Sequence, residues 1–330
     1  MRDLRALPKA HLHLHIEGSA RRSTIAEFAA RTGRGYAPPA SYPYRDFSVF
    51  QAAYDEMTSY ISTPEDLARI CRELVEDDAN QGAFYTEPII LPSFYQERFG
   101  MSELEIFDLM REAFFEAGEQ CGIEVGIAIA GIFTLPIEAT EAEARFAAEQ
   151  SDRGVVAFNL CATEPGFGYE RWIRPCDIAR DAGLDVVVHA GEFGPASAIE
   201  AAISVLNADR LSHGVRAVDD PSVFALLAER GLVCDVAPTS NVVLGLYREL
   251  REVPILQFLD AGIPFTLNAD DPLFSVSGVG DEYVVVRDTF GLSDEEMAGI
   301  ARTSVAASHS SPATKQRALD AIDTWLRTPA

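Results

Sequence analysis

HLHLHIEG, residues 11–18, holds three of the chain's six histidines, at the alternate positions His11, His13 and His15. In extended backbone, residues two apart point to the same side, so the stretch reads as a strand that presents imidazoles on one face. The residues after the strand separate two parallel-sheet architectures. An open doubly wound sheet carries a glycine-rich phosphate turn after its first strand. Here the strand runs directly into Ile16, Glu17 and Gly18, with no such turn.

Seven more short apolar stretches succeed it: AFYTEPII (83–90), EVGIAIAGI (124–132), VVAFNLCA (155–162), LDVVVHAGE (184–192), RLSHGV (210–215), LVCDVAP (232–238) and PFTLNADD (264–271). Amphipathic segments such as EDLARICRELVEDDANQG and PSVFALLAERG lie between them and have helical spacing. Ser102 with Glu105, and Ser293 with Glu296, have the spacing of capping boxes. Eight strand–helix alternations predict an α/β fold, a (β/α)8 TIM barrel. The expected organisation is one domain, 1–330. A lid-like insertion, 32–64, comes after strand one, and helices fill 281–330.

Of 330 residues, 48% are apolar, enough for a large core. The formal net charge is −24, and lysine occurs only at Lys9 and Lys315. That balance argues against nucleic acid and anionic membrane surfaces as partners. The five cysteines are scattered, with no CxxC pair, which suits a reducing compartment. No apolar run reaches the roughly 20 residues of a membrane span, and MRDLRALPKAHLHLHI has no apolar signal core. The expectation is a cytoplasmic protein.

Barrel active sites form at the C-terminal ends of the strands. Strand one ends in His13-Leu14-His15, strand five in His189-Ala190-Gly191-Glu192, strand six in Ser212-His213-Gly214, and strand eight in Asn268-Ala269-Asp270-Asp271. His13 and His15 can aim both imidazoles at one point in the barrel mouth. Neutral imidazole suits borderline metals such as Zn²⁺. A third histidine from strand five and a carboxylate from strand eight would complete a nitrogen-rich site with room for water. Glu192, three residues after His189, is placed as an acid/base that does not bind the metal. His11 has the parity of its neighbours but sits deeper, and is expected to be packed or hydrogen-bonded inside. His309 is expected on the surface of a late helix.

LPKAHLHLHIEG, HAGE, SHGV, PTSNVVLG and TLNADDP, in that order, resemble the motifs of the adenosine/adenine deaminase family of the amidohydrolase superfamily. The similarity spans about residues 7–290. It implies one Zn²⁺, or another divalent metal, held by His13, His15, His189 and Asp270. It implies that Glu192 protonates purine N1, that His213 orients or deprotonates the water, and that Asp271 hydrogen-bonds N7. Attack at C6 then releases ammonia. Two-metal relatives bridge their ions with a modified lysine on strand four, and VVAFNLCA has none.

The chain departs from the family pattern at three places. His11 stands where Glu is frequent. Glu17 replaces the aspartate of HLDG, the acid that meets the ribose 5′ end. Strand four reads NLCATE rather than DLAGDE, so Ala162 stands in place of the glycine whose amide approaches purine N3. FQAAYDEM suggests Phe50 and Tyr54 as an apolar lid wall near the sugar. The expected substrate is a small-molecule 6-aminopurine nucleoside, adenosine or a 5′-modified relative such as aminodeoxyfutalosine, with free adenine the alternative. Other classes are metal-dependent hydrolysis of an amide or ester, and a silent nucleoside-binding barrel. The purine-directed groups and the intact acid–metal set favour deamination over both.

Overall fold

The computed structural model describes residues 2–35, 43–44 and 47–329. Eight parallel strands form one sheet in sequential order: β1 (Lys9–His15), β2 (Ala83–Ile90), β3 (Ile127–Ile132), β4 (Val155–Cys161), β5 (Asp185–Ala190), β6 (Arg210–His213), β7 (Val233–Val236) and β8 (Phe265–Leu267). A two-residue strand, Glu124–Val125, also pairs with β2. Sequential order with a helix after nearly every strand is the barrel topology. Strands such as VVAFNLC and DVVVHA are apolar along almost their whole length, because helices cover one face and the barrel interior the other.

The seam between β1 and β8 closes the barrel through few groups. Leu14 and Asp270 form a parallel bridge. His15 N–H donates to the Asp270 carbonyl at 3.1 Å, and Asp270 N–H to the His13 carbonyl at 3.2 Å. The Asn268 side-chain oxygen accepts from both Leu12 N–H (2.8 Å) and His13 N–H (3.1 Å). Two successive amides on one acceptor mark a bulge, and the β1–β2 register is irregular between His11 and Leu14. The bulge breaks the alternation expected from HLHLH. His13 and His15 reach the barrel mouth, whereas His11 turns to the helical layer. There its Nδ1 lies 2.9 Å from Asp78 and its Nε2 accepts from Ala269 N–H. It is buried and hydrogen-bonded, but not on the face of its two neighbours.

Helices α1 (Arg22–Arg31), α2 (Phe47–Thr58) and α3 (Pro64–Asn80) lie between β1 and β2. Thr63 and Asp66 form a reciprocal capping box at the start of α3, with Pro64 as its first residue. The boxes expected at Ser102 and Ser293 are both present. Of the expected lid, α2 is described, and residues 36–42 and 45–46 lie outside the described residues. Three longer helices come after β8: Val279–Phe290, Asp294–Ala307 and Pro312–Arg327. Among the described residues, no helix is long and apolar enough to cross a membrane.

The lower end of the barrel is held by buried charge. Arg210 pairs with Glu87 and Asp235, and Tyr85 donates to Glu87 at 2.8 Å. His309 corrects the expectation of a surface helix residue. It sits in the loop after Asp294–Ala307, half-buried, with Nδ1 3.0 Å from Glu87 and Nε2 3.1 Å from Asp185.

Candidate active site

At the opposite end, side chains from four strand ends converge. His13 Nε2 lies 3.1 Å from His189 Nε2 and 3.2 Å from Asp270 Oδ1. His15 Nε2 is 3.4 Å from the same oxygen. The second nitrogens are engaged elsewhere. His13 Nδ1 faces the Asp235 carbonyl at 3.3 Å, and His189 Nδ1 faces Asn159 Oδ1 at 2.9 Å and the Leu160 carbonyl at 3.2 Å. With Nδ1 donating to oxygen, each Nε2 turns a bare lone pair toward the other. Two such lone pairs at 3.1 Å repel unless a proton or a metal ion lies between them; although burial opposes it, Asp270 raises the His13 imidazole above its usual value, so the position attracts positive charge. Ser240 Oγ donates to Asp270 Oδ2 at 2.6 Å, which leaves Oδ1 for the same centre. This donor set fits a borderline divalent metal, with the outer partners that such ligands need.

Burial pushes the His15 imidazole down to about 4 and that of His213 to about 3, and holds His189 well below its usual value. Neutral imidazole is the form that ligates. His213 lies close by, with Nε2 3.5 Å from Glu192 Oε1 and Nδ1 3.2 Å from the Asn241 amide. Burial, and after it the Asp270 carboxylate, raise the Glu192 carboxyl well above the usual range. Its surroundings therefore favour the protonated form.

The turn that carries Glu192 is folded around a second acid. Glu164 accepts backbone N–H bonds from Gly191 (2.7 Å), Glu192 (2.8 Å) and Gly194 (2.9 Å). Three backbone strains surround the same centre. Ala162, His213 and Asp270 all have positive φ, at 72°, 68° and 60°. Each costs an L-residue about 1 kcal/mol, and such outliers gather where side chains must be aimed. Ala162 thus keeps the left-handed conformation glycine would take, and adds a methyl group at the cavity wall.

Asp271 lines the same cavity. Its Oδ1 is buried without a hydrogen-bond partner, and burial, then Asp270 and Glu17, raise its carboxyl well above the usual range. Gly18 makes room for it: a Cβ at residue 18 would lie 1.6 Å from Asp271 Oδ1. Glu17 is held by two tyrosines, Tyr95 donating to Oε1 at 2.7 Å and Tyr54 to Oε2 at 3.0 Å. Tyr54 stacks on Phe274, and Phe50 packs edge-on against that ring. The cavity encloses 680 Å³. His15, Glu17, Phe50, Tyr54, Ala162, His189, Glu192, His213, Asp270 and Asp271 all line it, and His13 lies directly beneath.

Sequence reasoning passes over Asn159, Glu164, Ser240 and Asn241 as functional residues. All four lie inside the motif stretches NLCATE and PTSNVVLG, and the available signal is a polar side chain at a strand end. Tyr95 carries no signal, since only folding brings it to Glu17.

Residues 8–325 match the adenosine deaminase family model. The chain is 36% identical over 341 residues to an aminodeoxyfutalosine deaminase of Streptomyces coelicolor, covering 98% of this chain and 87% of that protein. It is 35% identical over 304 residues to an adenine deaminase of Chelativorans sp., covering 91% and 93%. Among solved structures, the adenine deaminase of Arthrobacter aurescens superposes with a TM-score of 0.88 at 26% identity, covering 97% and 99%. The chain belongs to the adenosine deaminase family.

Proposed function

We propose that this chain hydrolyses the 6-amino group of a purine nucleoside, consuming water and releasing ammonia and the 6-oxopurine. The convergence of His13, His15, His189 and Asp270 on one centre, with Glu192 facing it, carries this reading. These four residues would hold one ion, which we assign as Zn²⁺ from the imidazole-rich donor set. A bound divalent ion supplies an activated water at neutral pH.

The chain's own residues do the rest. Glu192, protonated through burial, gives its proton to purine N1, and this makes C6 electrophilic. His213, neutral and held against Asn241, orients the attacking water and takes up its proton. Asp271, which lines the cavity and has a carboxyl oxygen without a hydrogen-bond partner, hydrogen-bonds N7 and fixes the ring in plane. Glu17, Phe50, Tyr54 and Ala162 shape the pocket where the sugar and the N3 edge would lie.

Adenine is the second reading, supported by the adenine deaminases among the relatives. An ammonia-release assay across adenine, adenosine, deoxyadenosine and 5′-substituted adenosines separates the two. The expected result is activity on nucleosides, lost on chelation and restored by one equivalent of Zn²⁺. Absence of ammonia release from every compound, or full activity after metal removal, overturns the proposal.

A further inference from the structure

The cavity is larger than the reacting base requires, and its surplus has a distinct chemistry. The groups beside the ligand set come from the ends of β1, β4, β5, β6 and β8. The ends of β2 and β3 contribute instead Leu91, Phe94, Ile132 and Leu135 to the same cavity. Phe94 and Leu135 remain 48% and 40% exposed. Bulky apolar side chains open to water at a cavity rim mark a place where apolar ligand surface is to be covered. The polar groups that α2 and the turn after β1 add to the cavity are hydroxyls (Ser48, Tyr54, Thr58), one amide (Gln51) and the acids Glu17 and Asp55. Among the described residues, no lysine or arginine lines the cavity. The guanidinium next to Phe94, that of Arg98, is engaged by the carbonyls of Thr58 and Ile61 and lies over the rings of Phe94 and Tyr95. Glu17 connects the two regions, because Tyr95, which holds its carboxylate, is the chain neighbour of Phe94.

We propose that this chamber seats an uncharged, apolar substituent on the 5′ carbon of the nucleoside, as in 5′-alkylthio-5′-deoxyadenosines. The inference rests on the deaminase reading and narrows its substrate class. Apolar extension at the 5′ carbon gains burial against Leu91, Phe94, Ile132 and Leu135. A 5′-phosphate at the same place meets Glu17 and Asp55. Free adenine leaves the chamber filled with water.

The test is kcat/KM of the Zn²⁺-loaded enzyme for adenine, adenosine, adenosine 5′-monophosphate and the 5′-methylthio, ethylthio and propylthio nucleosides. The expected series rises about three- to fourfold per methylene, with the monophosphate at least about tenfold below adenosine through the like charge it meets. Phe94→Ser and, separately, Leu135→Ser flatten the series; both sites are part-exposed, so each variant is expected to fold. A flat or falling series, or adenine or the monophosphate as the best substrate, overturns the chamber assignment while leaving a deaminase. No ammonia from any compound overturns the deaminase reading, and the assignment with it.

Discussion

On the proposed reading, Glu192 and Gly18 are single residues on which the chemistry turns. A glutamine at 192 keeps the shape and the hydrogen-bonding oxygen but has no proton to give. Glu192→Gln should bind metal as before and lose about 10²–10⁴-fold in kcat. Near-normal turnover, measured against bound metal, removes Glu192 from the mechanism. Gly18 acts by being empty. The 1.6 Å separation between a Cβ at 18 and Asp271 Oδ1 leaves no room for alanine unless the carboxyl moves. Gly18→Ala should cost roughly 10²-fold in kcat/KM, the scale of a 1 Å displacement of a positioning group. Circular dichroism and metal content should stay unchanged. An unaltered kcat/KM would mean that Asp271 does not need its present place.

Elements explain why these residues arrive together. The 189–194 turn has no regular structure of its own beyond the strand end and is folded onto Glu164, which comes from the loop after β4. In Glu164→Ala three amides lose their acceptor, and stability falls by about 1–3 kcal/mol. Turnover per bound metal should fall at least about tenfold, because the backbone of Glu192 is one of the three donors. Glu164→Gln, which retains a carbonyl acceptor, should recover part of it. If only the folded fraction falls and turnover per bound metal does not, Glu164 supports the fold without positioning the acid.

The strands, and the ends that meet at the candidate site, were legible in the sequence because several short apolar runs carry histidine or aspartate at the same end. The lid helix and the C-terminal helices were legible from their spacing. His11 was legible as a buried, hydrogen-bonded histidine, but the side it turns to was not, because that depends on the bulge at Asn268, 255 residues beyond His13. Glu164 and Tyr95 were hidden for the same reason. Their partners are loop amides and a carboxylate that no local pattern announces. His309 was hidden too, because a histidine between two helical patterns says nothing of the Glu87 and Asp185 carboxylates that the barrel brings to it.

For the whole molecule, chemistry occupies one end of the barrel and charge pairing the other. His309 ties the loop before the last helix to β2 and β5. Although burial opposes it, the hydrogen bonds and charges of Asp185 and Glu87 raise its imidazole to about 9, against 6.5 when exposed. A raised folded-state value means that the charged form stabilises the native state. The contribution is fully present below about pH 6.5 and is lost as pH rises through about 9. Allowing for partial exposure, it amounts to about 2 kcal/mol. Glu87 also faces Arg210 and Tyr85, so the clean quantity is the difference in unfolding free energy between the parent chain and His309→Gln. That difference should shrink steadily from about pH 6.5 to about 9.5. A constant difference over this interval would show that His309 is not charged in the native state.

The β1–β8 seam has a consequence for biosynthesis. Two of the four candidate ligands lie on the first strand of the sheet, and Asp270 follows its last. A nascent chain stopped before residue 270 therefore owns most of a barrel but no complete cage. Such a truncated product is left ungirdled, without the clasp that joins its first turn of sheet to its last.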